Sequence, residues 1–414
     1  MPVGEPNMFK HIPAFEFKYL IQTPRRKLVT ESFSESVAQK VLRFHRQLPD
    51  YQPTRLVRLR RLAASWGLDE ILIKDESTRF GLLAFKALGG SYAVARLLCE
   101  KLGMDIDDID YENLRSNEVQ DRIGPITLTT ATDGNHGRGV AWTAEQLGQK
   151  AVIFMPKGSA SSRVDNIRSH GAIVEVTDLN YDDTVRLAYQ TAQEKGWVVI
   201  QDTAGKDYQK IPIWIMQGYV TMFAEAAAQM SEDGIRPTHV FLQAGVGSFA
   251  AAAVGYLVNT FKDNPPRFII MEPTRAACML ASAQSRDGRP QTVTGNLETI
   301  MAGLSCGEPN PLAWEIIREF TDCYVSCGDF FAANGIRLLA NPLAGDESVE
   351  SGESGAVGIG LLDLLVNSSE LELLRQELEI DHNARLLFFN TEGATDPENY
   401  RKILWHGKYS YPTV

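Results

Sequence analysis

From residue 126 onward the chain repeats one pattern: a short apolar run, then a segment whose apolar residues recur at helical spacing. The runs fall at 126–128, 151–155, 173–176, 197–200, 240–242, 268–271 and 386–389, and an earlier one lies at 71–73. Such runs suit buried strands. Strands that alternate with helices form a parallel sheet with helices on its faces, so the expected fold class is α/β, with two lobes that each hold a mostly parallel sheet flanked by helices. Residues 35–47, with Val37, Val41, Leu42 and Phe44 in helical register, predict a further helix ahead of this pattern.

No Gly/Ser-rich linker or repeat marks a boundary between the lobes. Residues 89–213 supply four of the strand candidates and read as a small domain inserted into a large one made of 1–88 and 214–414, with a helix over 213–230 carrying the chain back. A small-molecule pocket is then expected between the lobes.

The chemistry is concentrated in four stretches. Ser77-Thr78-Arg79-Phe80-Gly81-Leu82-Leu83-Ala84-Phe85-Lys86 leads from the 71–73 run into a helical pattern over 87–98, which puts Lys86 where a loop enters a helix among apolar and small neighbours. A lysine there loses hydration, which lowers its pKa and makes the neutral amine, the form that attacks a carbonyl, easier to reach. Taken alone, Lys86 reads better as a lysine that snorkels from a helix terminus, and it is the other stretches that reverse this.

Gly245-Val246-Gly247-Ser248-Phe249-Ala250 follows the 240–242 run and opens an alanine-rich helix to residue 258. Glycines let a backbone approach a ligand, and helix-start N–H groups attract phosphate. Residues 238–273 alone fit two ligands equally. One is a single phosphate; the other is a dinucleotide such as NAD, with Glu272 placed to bind a ribose.

Thr132-Asp133-Gly134-Asn135-His136-Gly137 breaks that tie. It follows the 126–128 run and starts a helix to residue 147, so its N–H groups and the Thr132 hydroxyl are placed for a substrate carboxylate and Asn135 for a cofactor oxygen. His136 reads as structural. Asp133 would repel a substrate carboxylate unless a cation bound close by, and a second amino group on the substrate supplies one. Asp202 ends the 197–200 strand, either facing the crevice or capping a helix. Thr391, after the last strand, offers a neutral hydroxyl to a ring nitrogen or serves an ordinary turn.

Composition excludes several other classes. The 414 residues carry a formal net charge of −11, which disfavours nucleic acid and anionic membrane. Residues 1–15 hold no continuous apolar segment, so neither a signal peptide nor a membrane span is expected and the cytoplasm is. Five sparse cysteines suit a reducing compartment; Cys323 and Cys327 have no histidine nearby, so no metal is expected, and Cys278 and Cys306 are expected as buried thiols. The acidic run 105–110 lacks the glycine turn of a cation loop and reads as solvated.

Together Lys86 in Phe-Lys-Ala-Leu-Gly-Gly-Ser-Tyr, the Asp-Gly-Asn-His-Gly loop, Gly-Val-Gly-Ser and Thr-Glu-Gly resemble the pyridoxal-phosphate enzymes of the tryptophan-synthase β-subunit fold, fold type II. Ala131 to Gly139, Gln201-Asp202-Thr203-Ala204 and the stretch from Ile211 to Tyr219 are most similar to the diaminopropionate ammonia-lyase family, over about Phe15 to Trp405. Gly205 departs from that family, in which tryptophan is expected after Asp-Thr-Ala.

The resemblance implies a homodimer with Lys86 carrying pyridoxal phosphate as an aldimine. It places Gly245, Val246, Gly247 and Ser248 on the phosphate, Asn135 near the ring oxygen and Thr391 near the ring nitrogen. Lys86, Asp133 and Asp202 are the implied catalytic residues, with Ser77, Thr132, Asp133, Gly134 and His136 on the substrate. The implied reaction is α,β-elimination of 2,3-diaminopropionate to pyruvate and ammonia. A serine or threonine dehydratase of the same fold is the nearest alternative, ahead of an NAD-dependent oxidoreductase or a non-catalytic amino-acid sensor.

Overall fold

The computed structural model describes residues 8–27, 30–132 and 134–410. Residues 1–7, part of the stretch read for targeting signals, and Asp133, a candidate catalytic carboxylate, lie outside them. Strands run in chain order β1 (Met8–Ile12), β2 (Phe17–Ile21), β3 (Leu56–Arg58), β4 (Glu70–Asp75), β5 (Thr127–Ala131), β6 (Lys150–Met155), β7 (Ile173–Val176), β8 (Val198–Val199), β9 (His239–Gln243), β10 (Arg267–Pro273), β11 (Thr321–Cys327) and β12 (Arg385–Asn390).

Among the described residues they form two sheets. The larger has the order β1-β2-β11-β10-β9-β12-β4-β3, and the smaller β7-β6-β5-β8. All pairings in the smaller sheet are parallel. The larger is parallel from β11 to β4, and β1, β2 and β3 add antiparallel pairings at its edges. The α/β expectation holds, and the large sheet is mixed.

Side chains alternate across the large sheet as its pleat requires. Leu387 and Phe389 face one core with Leu72, Leu242 and Ile270, which continues to Leu128 and Ile153 of the small sheet. Leu386 and Phe388 face the other, with Ile71, Ile73, Phe241 and Ile269. Both faces are covered, which is why these strands are apolar without interruption.

Two devices place Lys86. The first is a buried charge network under the turn Glu76–Gly81: Arg79 lies 2.8 Å from Glu76 and 2.7 Å from Glu225, and Lys74 lies 2.7 Å from Glu225. These side chains are nearly solvent-free, so each charge depends on its partner, and removing one strands the others. The network ties the turn to the helix Lys210–Glu232, and it holds the left-handed Phe80 (φ 51°) and Leu83 (φ 57°) that lead the backbone to Lys86.

The second device is close helix packing. A Cβ on Gly218 would lie 2.3 Å from the Leu88 carbonyl oxygen, and one on Gly139 would lie 2.9 Å from the Ala87 nitrogen. Only glycine lets these two neighbouring helices press on the start of the helix Lys86–Leu102.

Candidate active site

The cleft where the C-terminal ends of β9 and β12 face the small sheet is lined by Lys86, Asn135, His136, Asp202, Gly245, Val246, Gly247, Ser248 and Thr391. Residues far apart in sequence meet here. Lys86 Nζ donates to Asp202 Oδ2 at 2.5 Å, with the side chains 20% and 5% exposed. Its ammonium also stands 5.4 Å from the Phe85 ring centre and 5.7 Å from that of Tyr219. Burial alone would raise the Asp202 pKa, but Lys86 and His136 outweigh it and hold the carboxyl at about 2. Asp202 faces the crevice; it does not cap a helix through its carboxylate.

The main-chain oxygen of Asp202 accepts from Ser248 Oγ at 2.5 Å and from Asn310 Nδ2 at 3.2 Å, which fastens the end of the small sheet to the glycine loop. Gly247 caps the helix Ser248–Phe261, longer by a turn than expected, in a left-handed conformation (φ 92°). A Cβ there would lie 2.5 Å from Met279 Cε and 3.0 Å from Ile317 Cδ1, so a side chain at 247 would have to displace both, and the glycine loop lines the cleft with its backbone. Gly247→Ala combines a left-handed backbone with overpacking and is expected to lower stability by ~2–4 kcal/mol and to cut cofactor retention. Urea midpoints and bound-cofactor absorbance measure both effects.

Asn135 opens the helix Asn135–Gln146, and its side-chain amide donates to Glu392 Oε2. Glu392 in turn accepts from the Ser354 N–H at 3.2 Å. Thr391 Oγ1 accepts from Gln243 Nε2 at 2.9 Å and keeps its own hydrogen to donate. The Ser354 hydroxyl lines the cleft, is buried and has no hydrogen-bond partner among the described residues.

His136 Nε2 donates to the Ile200 carbonyl at 2.7 Å, and burial, the largest effect, lowers its pKa, so it is a neutral positioned ring. The Thr132 hydroxyl accepts from the N–H groups of Gly134 and Gly137 at 2.9 and 3.0 Å, which shapes the loop from within. Ser77 sits outside the cleft wall: its N–H donates to Asp75, and it packs beside Gly393.

Three contributors were not singled out by sequence. Glu392 lies within the Thr-Glu-Gly turn and Gln243 just before the glycine loop, each without an assigned role, but Ser354 carries no local signal beyond the glycines at 352 and 355.

Glu272 is not a ribose ligand. It is buried, and its carboxylate accepts from the N–H groups of Met279 and Leu280 at 2.7 and 2.8 Å. Burial pushes its pKa up to about 8. It caps a short helix, and the dinucleotide reading loses its acidic partner. All five cysteines are buried thiols, as expected of Cys278 and Cys306. No group of three or more metal-ligating side chains occurs among the described residues, and no helix there is long and apolar enough to cross a membrane.

A half-buried lysine opposite a glycine cradle, a neutral hydroxyl at the end of a parallel strand and an orphaned serine lining the same cleft fit pyridoxal phosphate. Fold and cleft define a pyridoxal-phosphate-dependent enzyme, and residues 48–373 match the family described in those words. The chain is 50% identical over 397 residues to diaminopropionate ammonia-lyase of Salmonella typhimurium, covering 94% of this chain and 98% of that one.

It superposes with a TM-score of 0.90 and 48% identity on the holo diaminopropionate ammonia-lyase of Escherichia coli, over 96% of this chain and 98% of that one. A second structure of that enzyme, with an aminoacrylate-PLP azomethine reaction intermediate, gives a TM-score of 0.89 at 47% identity over 96% and 99%. The chain belongs to the diaminopropionate ammonia-lyase family.

Proposed function

We infer that this protein eliminates the β-amino group of 2,3-diaminopropionate to give pyruvate and two ammonia. The observation that carries this reading is the Lys86–Asp202 pair facing the glycine cradle in a chain alike along its whole length to ammonia-lyases of that substrate. Pyridoxal phosphate supplies an electron sink for charge that develops at the substrate Cα. Gly245 to Ser248 would hold its phosphate, Asn135 and Thr391 would hold its ring, and Lys86 would hold its aldehyde carbon.

Lys86 Nζ, once released, takes the Cα proton. Asp202 Oδ2, already 2.5 Å from that nitrogen, orients it and stabilises its charge. The second ammonium of the substrate meets Asp133, proposed from sequence, which recognises the β-nitrogen and serves its departure. The substrate carboxylate is received at the start of the helix Asn135–Gln146, in the loop that Thr132, Gly134 and His136 shape, and Ser77 backs the Thr391 turn. Phe85, Phe249 and Leu304 wall the cleft against water.

The division into a large domain, 1–88 with 214–414, and a small domain, 89–213, is proposed on the same footing. So are a homodimer and a cytoplasmic setting.

Pyruvate and ammonia release from diaminopropionate, serine and threonine tests the function. Diaminopropionate is expected to be the best substrate; serine or threonine turned over faster would make this a dehydratase. Asp133→Asn is expected to lose ~10²-fold or more on diaminopropionate and less on serine. Equal losses on both would remove the acid from recognition of the second amine.

A further inference from the structure

Beside the cleft lies a second cavity, reached past Tyr181 and Val246, which line both. Its walls include Val185, Tyr189, Tyr208, Pro290 and Pro309, and Thr203-Ala204-Gly205, just beyond Asp202, forms one side. Tyr189 and Tyr208 meet edge to face there, 5.4 Å apart at 87°. Tyr208 is locked by its hydroxyl, which donates to the Val199 carbonyl and accepts from the Gln201 N–H, both at 2.9 Å. Tyr208 is thereby fixed against β8.

Gly205 keeps this annex open. Its backbone is not among those with positive φ, so the chain there does not demand glycine. A Cβ would meet nothing closer than Tyr208 Cβ at 3.9 Å. Gly205 is part of the cavity wall, so a larger side chain there can take up space at that wall without backbone strain.

The rim is acidic. Asp182 and Glu308 line it, and the one arginine among them, Arg186, is engaged by Asp183 at 2.9 Å and Glu308 at 3.1 Å. Burial, and then Glu308, raise the Asp182 pKa.

We propose that the Gly205 annex is a substrate subsite that accepts an aromatic or branched alkyl group on the β-nitrogen of a 2,3-diaminopropionate. This deepens the assignment of the cleft and rests on it. The protonated secondary amine of the substituted substrate stays in the cleft, and its apolar group passes Tyr181 to lie on the tyrosine and proline walls. As Cα loses its proton, the Cα–Cβ double bond forms and the Cβ–N pair leaves with nitrogen as a neutral primary amine. Water then converts the three-carbon enamine to pyruvate and ammonia, so substrate and one water give pyruvate, one ammonia and one amine.

The test compares N3-benzyl-2,3-diaminopropionate with the unsubstituted compound, reading benzylamine and pyruvate in wild type, Gly205→Leu and Gly205→Trp. Wild type is expected to use both within about tenfold in kcat/KM, whereas filling the annex lowers the benzyl substrate by ~10–200-fold and the small one by less than about threefold. Calorimetric binding of the benzyl compound, lost in both variants, is the readout independent of turnover.

Wild type that neither binds nor cleaves the benzyl compound overturns the subsite, as do variants that keep the wild-type ratio. Annex-dependent binding without cleavage of either compound keeps the subsite as a binding site and overturns the elimination assignment.

Discussion

Lys86→Ala is expected to lower diaminopropionate elimination by ~10⁴-fold or more, because one substitution removes both the covalent tether and the general base, and proton transfer alone is worth ~10²–10⁴. The variant should also purify without the absorbance of a lysine-tethered cofactor. Part of the loss should return when a small primary amine is added to the assay, since such an amine can occupy the space of the missing side chain and accept the proton. The structure adds a cost in stability. Asp202 is buried and ionised opposite Lys86, and truncation leaves that carboxylate without its nearest cation. A buried charge deprived of its partner destabilises by ~3–5 kcal/mol unless it takes up a proton. The variant should therefore unfold at lower urea, and most clearly near neutral pH. Wild-type turnover and colour in Lys86→Ala would remove the lysine from the chemistry altogether.

The contrast between Lys86 and Asp202 shows how far the sequence carries the site. Lys86 and the 245–248 loop were legible because each has a local cause: a loop entering a helix among small residues, and glycines where a helix begins. Their partnership was not legible, since Asp202 lies 116 residues from Lys86 and only the packing of the small sheet on the large one unites them. Glu392 acquires meaning through Asn135 and Ser354 through its place in the cleft, in the same way.

The fold divides along similar lines. The uninterrupted apolar strands β9 and β12 announced a sheet covered on both faces. β11 did not, because it reads Thr-Asp-Cys-Tyr-Val-Ser-Cys. Yet it is wholly buried, for Asp322 accepts from the Phe268 N–H and pairs with Arg26, contacts made far along the chain. The hairpin β1–β2 was missed as well: its outer strand is largely exposed, so its side chains carry no apolar alternation to betray it.

Asp202→Asn separates charge from shape at the same pair. The amide keeps the volume and one acceptor oxygen but cannot stabilise an ammonium at Lys86 as the carboxylate does, so kcat is expected to fall by ~10²-fold, with a smaller change in KM because the substrate carboxylate binds elsewhere. Stability should report the charge with a definite sign. In the folded protein burial would raise the Asp202 pKa, but Lys86 and His136 depress it from the ordinary 3.8 to about 2. A group with a depressed folded pKa contributes stability that is present above its unfolded value and disappears as pH falls through the folded one. That window runs from about pH 4 down to about pH 2, and the shift corresponds to ~2 kcal/mol. Cofactor-free wild type should therefore lose stability on acidification through this range faster than Asp202→Asn, whose amide does not titrate, and urea midpoints across it measure the difference. Parallel curves for the two proteins would mean that the carboxylate is not held ionised by Lys86. The same depressed pKa predicts that Asp202 does not titrate between pH 5 and 9, so an acid limb of kcat/KM in that range that persists in Asp202→Asn belongs to another group.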